Sequence, residues 1–102
     1  MQTTQTVITT FEVNPGTCQD LIDELSAAYE GFIRARPGFR SAALHVNDAQ
    51  TRVAVISRWV DREAFMDLLR DERMRALSRR LNALCRSFEP VLYDTLAEVE
   101  PR

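Results

Sequence analysis

The sequence contains no lysine, and all thirteen of its basic residues are arginine. A mechanism that builds a Schiff base on a lysine amine is therefore excluded. Only three glycines are present, Gly16, Gly31 and Gly38, so the chain cannot form a phosphate-cradling loop or a dinucleotide fingerprint. One histidine and two cysteines, without the spacing of metal ligands, argue against a dedicated transition-metal site. We therefore expect no metal and no cofactor.

The sequence also lacks a hydrophobic run of the roughly 20 residues that a membrane-spanning helix needs. The first residues have neither the basic start nor the apolar core of a signal peptide. We therefore expect a cytoplasmic protein in which Cys18 and Cys85 are reduced and fill the core. The formal net charge of -2 gives no electrostatic reason to expect nucleic acid or a membrane surface as a partner.

The chain is organised around the stretch from Val53 to Trp59. A strand with one exposed face alternates apolar and polar residues, because successive side chains point to opposite sides of the sheet. In this stretch Val53, Val55 and Trp59 lie on one face. Ala54 and Ile56 lie on the other. Both faces must therefore be covered.

The 102 residues are predicted to form a single domain, residues 1–102, with the element order strand, helix, strand, strand, helix, strand. Right-handed crossovers fold this order into a ferredoxin-like βαββαβ antiparallel sheet, an α+β fold with both helices on one face. The predicted strands span Thr6–Val13, Phe39–Val46, Val53–Trp59 and Val91–Val99. Thr17 is expected to cap the first helix, which stops at Pro37 and Gly38. Asp61 is expected to cap the second, which has a break or bend at residues 70–73 and ends at Glu89 and Pro90.

The helices of this fold cover only one side of the sheet. A second copy, packed sheet against sheet, covers the other side most economically, so we expect a homodimer. Between the sheet and the helices we expect a mostly apolar cavity, with a narrow water-free space against Trp59 for a planar ligand.

Several residues together resemble a known family. They are Pro37-Gly38-Phe39-x-Ser41, His45, the valine-rich strand that ends in Trp59, and Asp61-x-x-Ala64-Phe65. This pattern resembles the antibiotic biosynthesis monooxygenase superfamily of dimeric α/β barrels, and the likeness spans nearly the whole chain. Among its members, the chain is most similar to quinone-forming monooxygenases of aromatic polyketide pathways.

The resemblance implies cofactor-independent oxidation of an anthrone or naphthacenone polyketide to a quinone by molecular oxygen. Such a reaction is chemically feasible because the delocalised anion of a polycyclic phenol can itself pass an electron to oxygen. The family's asparagine and two tyrosines for phenolic oxygens are here Val55, Ile56 and Phe65. A cyclase or isomerase that uses the same pocket without oxygen is therefore an alternative, as is a non-catalytic binding protein.

Two candidate catalytic residues match the family pattern. Trp59 offers an aromatic wall and an indole N–H donor, with core packing as the alternative role. His45 offers a base or donor with a pKa near neutrality, and the alternative is an exposed side chain near a hairpin. The face on which His45 lies depends on the register of strand pairing.

Five further residues are candidates for substrate binding. Tyr29 projects from the apolar stripe of the first helix, so its hydroxyl is expected to reach a pocket or a buried partner. Ser57 shares the face of Trp59, and Phe65 takes the place of the family's pocket tyrosine. Arg73 and Arg80 lie near the apolar face of the last helix, where a guanidinium could steady an oxyanion. The alternative is a salt-bridged helix surface.

Overall fold

The computed structural model describes residues 4–102 and has the predicted ferredoxin-like α+β fold. Eight elements follow one another along the chain. They are β1 (Gln5–Glu12), α1 (Pro15–Gly31), a 3₁₀ turn (Ile33–Ala35), β2 (Phe39–Val46), β3 (Arg52–Trp59), α2 (Arg62–Arg70), α3 (Glu72–Leu84) and β4 (Ser87–Tyr93). The break or bend predicted at residues 70–73 is a complete break between α2 and α3.

The four strands form one antiparallel sheet in the order β2-β3-β1-β4. In the two central strands, β3 and β1, the two faces of the sheet differ most clearly in side-chain burial. In β3 the side chains of Val53, Val55, Ser57 and Trp59 are buried on the helix side. Ile56, on the opposite side, is only half-buried because no element of the same chain covers it. Within one chain, therefore, only the helix side of β3 is covered.

The uncovered face of the sheet has an apolar row across all four strands. Ala43 pairs with Ile56, Ile56 with Ile8, and Ile8 with Val91, so these four side chains lie side by side. Polar and charged residues flank the row, among them Thr10 and Arg58 on the neighbouring rows. We refer to this surface as the open face.

The N-terminus of α1 differs from the prediction that Thr17 is its cap. Pro15 occupies the first turn, where its fixed φ suits the helix, and the capping position falls on Asn14. Thr17 therefore lies inside the helix, and its hydroxyl donates a hydrogen bond to the Leu84 carbonyl at 2.9 Å. This bond ties the start of α1 to the end of α3.

The caps of α2 and α3 are aspartates. The Asp61 carboxylate accepts a hydrogen bond from the Ala64 amide at 2.9 Å, so the predicted cap is confirmed. Asp71 ends α2 and caps α3 by accepting from the Arg73 amide at 2.8 Å. The apolar sides of both helices face the sheet through Phe65, Leu68, and the α3 pair Leu77 and Leu81.

The last strand is displaced from the predicted Val91–Val99. Helix α3 ends at Leu84, and β4 runs from Ser87 to Tyr93, so Pro90 lies inside a strand rather than ending a helix. Proline lacks an N–H, but β4 is an edge strand and pairs only with β1, which makes proline acceptable there. The strand ends at Tyr93, which pairs with Thr6 near the start of β1.

Gly38 lets the chain enter β2 directly against the start of α2. It has a φ of +84°, in the left-handed region, and its carbonyl accepts a hydrogen bond from the Val60 amide at 2.7 Å. A Cβ at this position would lie 2.6 Å from the Ala64 Cβ and 2.7 Å from Val60 Cγ1. Only glycine meets both requirements.

We expect Gly38→Ala to lower the free energy of unfolding by more than about 2 kcal/mol, because left-handed strain and the clash with Ala64 add. Urea denaturation measures this change. Gly31→Ala is the matched control: nothing lies within 4 Å of its added Cβ, so it should be neutral or slightly stabilising. Equal effects of the two variants would contradict this account of Gly38.

Candidate functional site

Trp59 ends β3 at the centre of an aromatic cluster. Its side chain is fully buried, and its indole Nε1–H donates a hydrogen bond to Ser57 Oγ at 3.1 Å. Phe39 and Phe65 both contact the indole edge-to-face, with ring centroids 5.3 Å and 5.9 Å away. The tryptophan is therefore held rigidly on every side by rings and by one polar contact.

Tyr29, which belongs to α1, lies next to this aromatic cluster. Its hydroxyl lies close enough to Ser57 for the two hydroxyls to interact, and Ser57 thus stands between Tyr29 and Trp59. Burial raises the pKa of the Tyr29 phenol from 10.0 to about 12, although the bond to Ser57 acts in the opposite direction. The phenol is therefore protonated at neutral pH and can donate a hydrogen bond to an anionic oxygen.

A cavity of about 60 Å³ lies between the sheet and the helices. We call it the interior cavity. Tyr29 is on its wall, and its lining is otherwise mostly apolar, contributed chiefly by α2, α3 and the helix side of the sheet. The mostly apolar cavity expected at this place is present, but it is small.

A second space of about 360 Å³ lies outside, between the C-terminal half of α1 and the edge strand β2. We call it the outer groove. Its lining combines two aromatic residues with two serines, a charged pair and two aliphatic residues. The lining residues are Ser26, Tyr29, Glu30, Arg34, Phe39, Ser41, Ala42 and Leu44. Tyr29 is the residue that lines both spaces.

The structure corrects the expectation of a slot against Trp59. Neither the interior cavity nor the outer groove is lined by the indole, because Phe39 and Phe65 lie between it and the two spaces. Phe65 lines the interior cavity, and Phe39 lines the outer groove. Trp59 thus packs behind Phe39 and Phe65 and supports the walls of both spaces without lining them.

His45 lies on the open face, on the opposite side of the sheet from Tyr29. It pairs with Ala54, whose neighbours Val53 and Val55 point towards the helices. The reason is a β-bulge between Phe39 and Ser41, which changes the parity of the rest of β2. Without that extra residue, His45 would share the helix side with Phe39. Within one chain, His45 and Trp59 are therefore not brought together.

Arg73 and Arg80 form ion pairs and line neither space. Arg80 Nε donates to a Glu24 carboxylate oxygen at 3.1 Å on an exposed surface. Arg73 donates to Asp71 at 2.8 Å, and its guanidinium lies 4.8 Å from the centre of the Phe32 ring. These contacts agree with the alternative of a salt-bridged helix surface.

Asp71 also accepts a hydrogen bond from Arg36 at 3.1 Å, in the segment before β2. Hydrogen bonds from the Arg73 side chain and amide hold the pKa of the Asp71 carboxyl well below its usual range, with a smaller contribution from the charge of Arg36. One carboxylate therefore ties the break between α2 and α3 to the entry of β2.

Seven residues of the outer groove, all of its lining except Tyr29, were not among the sequence candidates. A helical spacing of four relates Ser26, Glu30 and Arg34, and Glu30 accepts a hydrogen bond from Arg34 at 2.7 Å. The sequence alone could therefore have indicated these three residues, because helical spacing groups them near Tyr29. Phe39 and Ser41 carry no comparable signal, because the bulge decides which side chains of β2 face α1.

Within residues 4–102, no three or more histidine, cysteine, aspartate or glutamate side chains form a group that could hold a metal ion. Both cysteines are free, with Cys18 buried and Cys85 half-buried. In the same part of the chain, the helices are too short or too polar to cross a membrane.

The four-stranded sheet, with its helices on one face and aromatic rings packed between the layers, places the protein among the ferredoxin-like α+β domains. Residues 4–80 match the sequence model of the family described as antibiotic biosynthesis monooxygenase. Because the match covers more than half of the chain, the protein belongs to this family. Among curated proteins, no sequence matches the chain.

Solved structures with the same fold include two oxygenases from Streptomyces. A monooxygenase from ActVA-Orf6 of Streptomyces coelicolor, in complex with nanaomycin D, is 24% identical with a TM-score of 0.88, covering 99% of this chain and 95% of that one. SnoaB of Streptomyces nogalater, a cofactor-independent oxygenase, is 23% identical with a TM-score of 0.78, covering 98% and 99%. PA3566 of Pseudomonas aeruginosa is 28% identical with a TM-score of 0.79, covering 95% and 98%.

We expect the Tyr29 phenol to ionise near pH 12 in the folded protein. Its raised pKa contributes stability that is present below pH 10.0 and is lost as the pH rises towards about 12. A spectrophotometric titration of Tyr93→Phe, which leaves Tyr29 as the single tyrosine, measures the pKa directly. The alkaline loss of stability should be smaller in Tyr29→Phe than in the wild type, and ionisation of Tyr29 at its ordinary pKa would contradict the buried hydroxyl network.

Proposed function

We propose that this protein is a cofactor-independent monooxygenase that oxidises a polycyclic aromatic polyketide, of the anthrone or naphthacenone type, to a quinone. Family membership supports monooxygenase chemistry. Two proteins of the same fold support the narrower proposal, since one is a monooxygenase in complex with nanaomycin D and the other a cofactor-independent oxygenase. The observation that carries the proposal is the protonated Tyr29 phenol, held by Ser57 on the wall of both spaces.

In this proposal the substrate supplies the electrons. An activated methylene gives up a proton, and the resulting delocalised anion passes one electron to molecular oxygen. The radical pair combines to a peroxide, and cleavage of the O–O and remaining C–H bonds leaves a carbonyl and one water. One oxygen atom thus enters the substrate and the other leaves as water, so no external reductant is needed.

The role of the protein is to favour the substrate anion. Tyr29 donates a hydrogen bond to the oxygen on which the negative charge accumulates, in a place where burial makes such a bond strong. Ser57 orients the Tyr29 hydroxyl, and Trp59 fixes Ser57 through its indole N–H. The proposal assigns Trp59 this supporting role and gives no step to His45, which lies on the open face.

Oxygen uptake with dithranol, a dihydroxyanthrone, tests the reaction. We expect one oxygen molecule to be consumed for each quinone formed, at a rate above the spontaneous oxidation without protein. A rate equal to the spontaneous one would contradict the proposal.

Tyr29→Phe should lower kcat at least about tenfold, because it removes a donor that acts on developing charge. Tyr93→Phe is the matched control, since Tyr93 lines neither space and the change keeps its ring on the open face, and it should retain the wild-type rate. Steady-state oxygen-electrode measurements of both variants decide the role. Equal rates for Tyr29→Phe and the wild type would remove Tyr29 from the mechanism.

A cyclase or isomerase acting on a similar polyketide is the second candidate. The observation that favours it is the apolar interior cavity, where Val55 and Phe65 stand in place of the polar groups of quinone-forming relatives. Such an enzyme would form its product under strict anaerobiosis. Turnover without oxygen would therefore replace the monooxygenase proposal with this one.

We also propose that the protein is a homodimer, formed by packing the open faces of two copies. The apolar row of Ala43, Ile56, Ile8 and Val91 supports this arrangement, since charged and polar rows flank it as a rim. The cytoplasmic location and the absence of nucleic-acid and membrane partners stay predictions from the sequence.

Ile56→Arg should convert the dimer to a monomer, because it places a guanidinium in the middle of the apolar row. Sedimentation equilibrium measures the mass of the assembly. Asn82→Arg is the matched control, since Asn82 is exposed on α3, away from the sheet, and should leave the dimer intact. A wild-type protein that sediments as a monomer would refute the open-face dimer.

A further inference from the structure

The interior cavity is smaller than an aromatic molecule of three or four rings. Its volume is about 60 Å³. Pockets that hold drug-sized molecules generally measure about 300–1,000 Å³. A ligand of that size can therefore reach Tyr29 from the helix side of the sheet only if one wall of the cavity moves.

The walls of the interior cavity differ in how firmly they are held. On the sheet side the wall is formed chiefly by β1 and β3, and each of these strands is paired on both of its edges. The start of α2 is held by the hydrogen bond from the Val60 amide to the Gly38 carbonyl at 2.7 Å. The end of α3 is held where the Leu84 carbonyl accepts from the Thr17 hydroxyl at 2.9 Å. The junction of the two helices lies between these two anchors.

The cavity lining reaches the protein surface at this junction. Leu69 and Met74 lie on either side of Asp71, and both line the interior cavity while being half-buried. Pro90 also lines the cavity and is exposed, but it belongs to a strand whose backbone is paired with β1. The helix junction is therefore the part of the wall that can move without unpairing the sheet. We call residues 69–74 the elbow.

One carboxylate fastens the elbow to the rest of the fold. Asp71 accepts a hydrogen bond at 3.1 Å from Arg36, which lies in the segment before β2. Their side chains are 10% and 23% exposed, so solvent and salt screen this ion pair less than the exposed pairs on the helices. The Arg73 guanidinium, 4.8 Å from the centre of the Phe32 ring, adds a second contact to the same region.

The contact between Arg36 and Asp71 also includes an unfavourable feature. The Arg36 Nε is buried and has no hydrogen-bond acceptor among residues 4–102. A buried donor without a partner costs free energy, and lifting the elbow would return this donor to water. The loss of the ion pair is thereby partly offset, so a closed and an open elbow differ by less than the ion pair alone would require.

We propose that the elbow is a gate to the interior cavity, and that the ion pair of Arg36 and Asp71 is the latch that keeps it closed. When the pair breaks, the elbow lifts while the start of α2 and the end of α3 stay attached. Leu69 and Met74 move away from the cavity, which then admits a planar aromatic molecule next to Tyr29. The gate rests on the contacts described above, whereas the class of ligand that passes it rests on the proposed function.

Hydrogen exchange of the ligand-free protein, followed by mass spectrometry, tests the latch. Arg36→Gln removes the cation, and it should accelerate exchange of the amides in residues 66–75 at least about fivefold, with those of β1 and β3 unchanged. Arg36→Lys keeps the charge without the planar fork and should give a smaller acceleration. Arg34→Gln is the matched control, because it breaks an exposed pair with Glu30 outside the elbow and should exchange as the wild type does.

Two results of the exchange experiment would overturn the latch. One is unchanged exchange of the elbow in Arg36→Gln. The other is equal acceleration in the elbow and in the central strands, because that pattern indicates global unfolding rather than local opening. Urea denaturation of each variant gives its global stability for this comparison.

Stopped-flow binding of alizarin, a planar dihydroxyanthraquinone, tests whether the elbow is the entrance. If the ligand enters only through the open elbow, its association rate constant is proportional to the fraction of protein that is open. Arg36→Gln should therefore raise this constant by the same factor as the exchange rate of the elbow, and Arg34→Gln should leave it unchanged. An association rate that does not follow the exchange rate, or no binding of alizarin to the wild type, would overturn the entrance.

The gate and the oxygenase can fail separately. If the wild type oxidises dithranol but the elbow stays protected in Arg36→Gln, the gate is wrong and the oxygenase stands. If exchange and association accelerate together in Arg36→Gln while the wild type consumes no oxygen with dithranol, the gate stands and the oxygenase fails.

Discussion

The hydrogen bond from the Trp59 indole to Ser57 is the contact on which the site depends. A buried indole N–H without a partner would cost about 1–3 kcal/mol, so the hydroxyl beside it is needed for the tryptophan to be fully enclosed. The same hydroxyl meets Tyr29 and thereby connects the end of β3 to the middle of α1. The Ser57 hydroxyl is thus needed both to pack the aromatic cluster and to position the Tyr29 phenol.

The sequence was sufficient to predict the fold where the information is local. The apolar stretch from Val53 to Trp59 predicted strand β3, and Asp61 predicted the start of α2. The last strand was misplaced because Pro90 breaks helices and central strands but is tolerated on an edge, and edge position depends on the order of strands in the finished sheet. The Thr17 cap failed for a local reason, since Pro15 already occupied the first turn.

The site was less predictable than the fold because its residues converge from separate elements. Ser57 and Trp59 were predicted to share one face of β3, and both lie on its helix side, since periodicity determines the face of a strand. The face on which His45 lies depends on a single bulge near Phe39, and no residue type in the sequence predicts that bulge. A small change in register therefore transfers a whole set of β2 side chains from one surface of the protein to the other.

Asp71 joins two helices without a connecting loop, since it follows the last residue of α2 and precedes the first of α3. Each residue of a helix adds about 100° of rotation about its axis. No loop lies between α2 and α3 that could absorb an inserted residue. One additional amino acid at this junction would rotate all of α3 about its axis and carry Leu77 and Leu81 away from the sheet. We therefore expect an insertion to be tolerated better elsewhere, for example in the polar hairpin between β2 and β3.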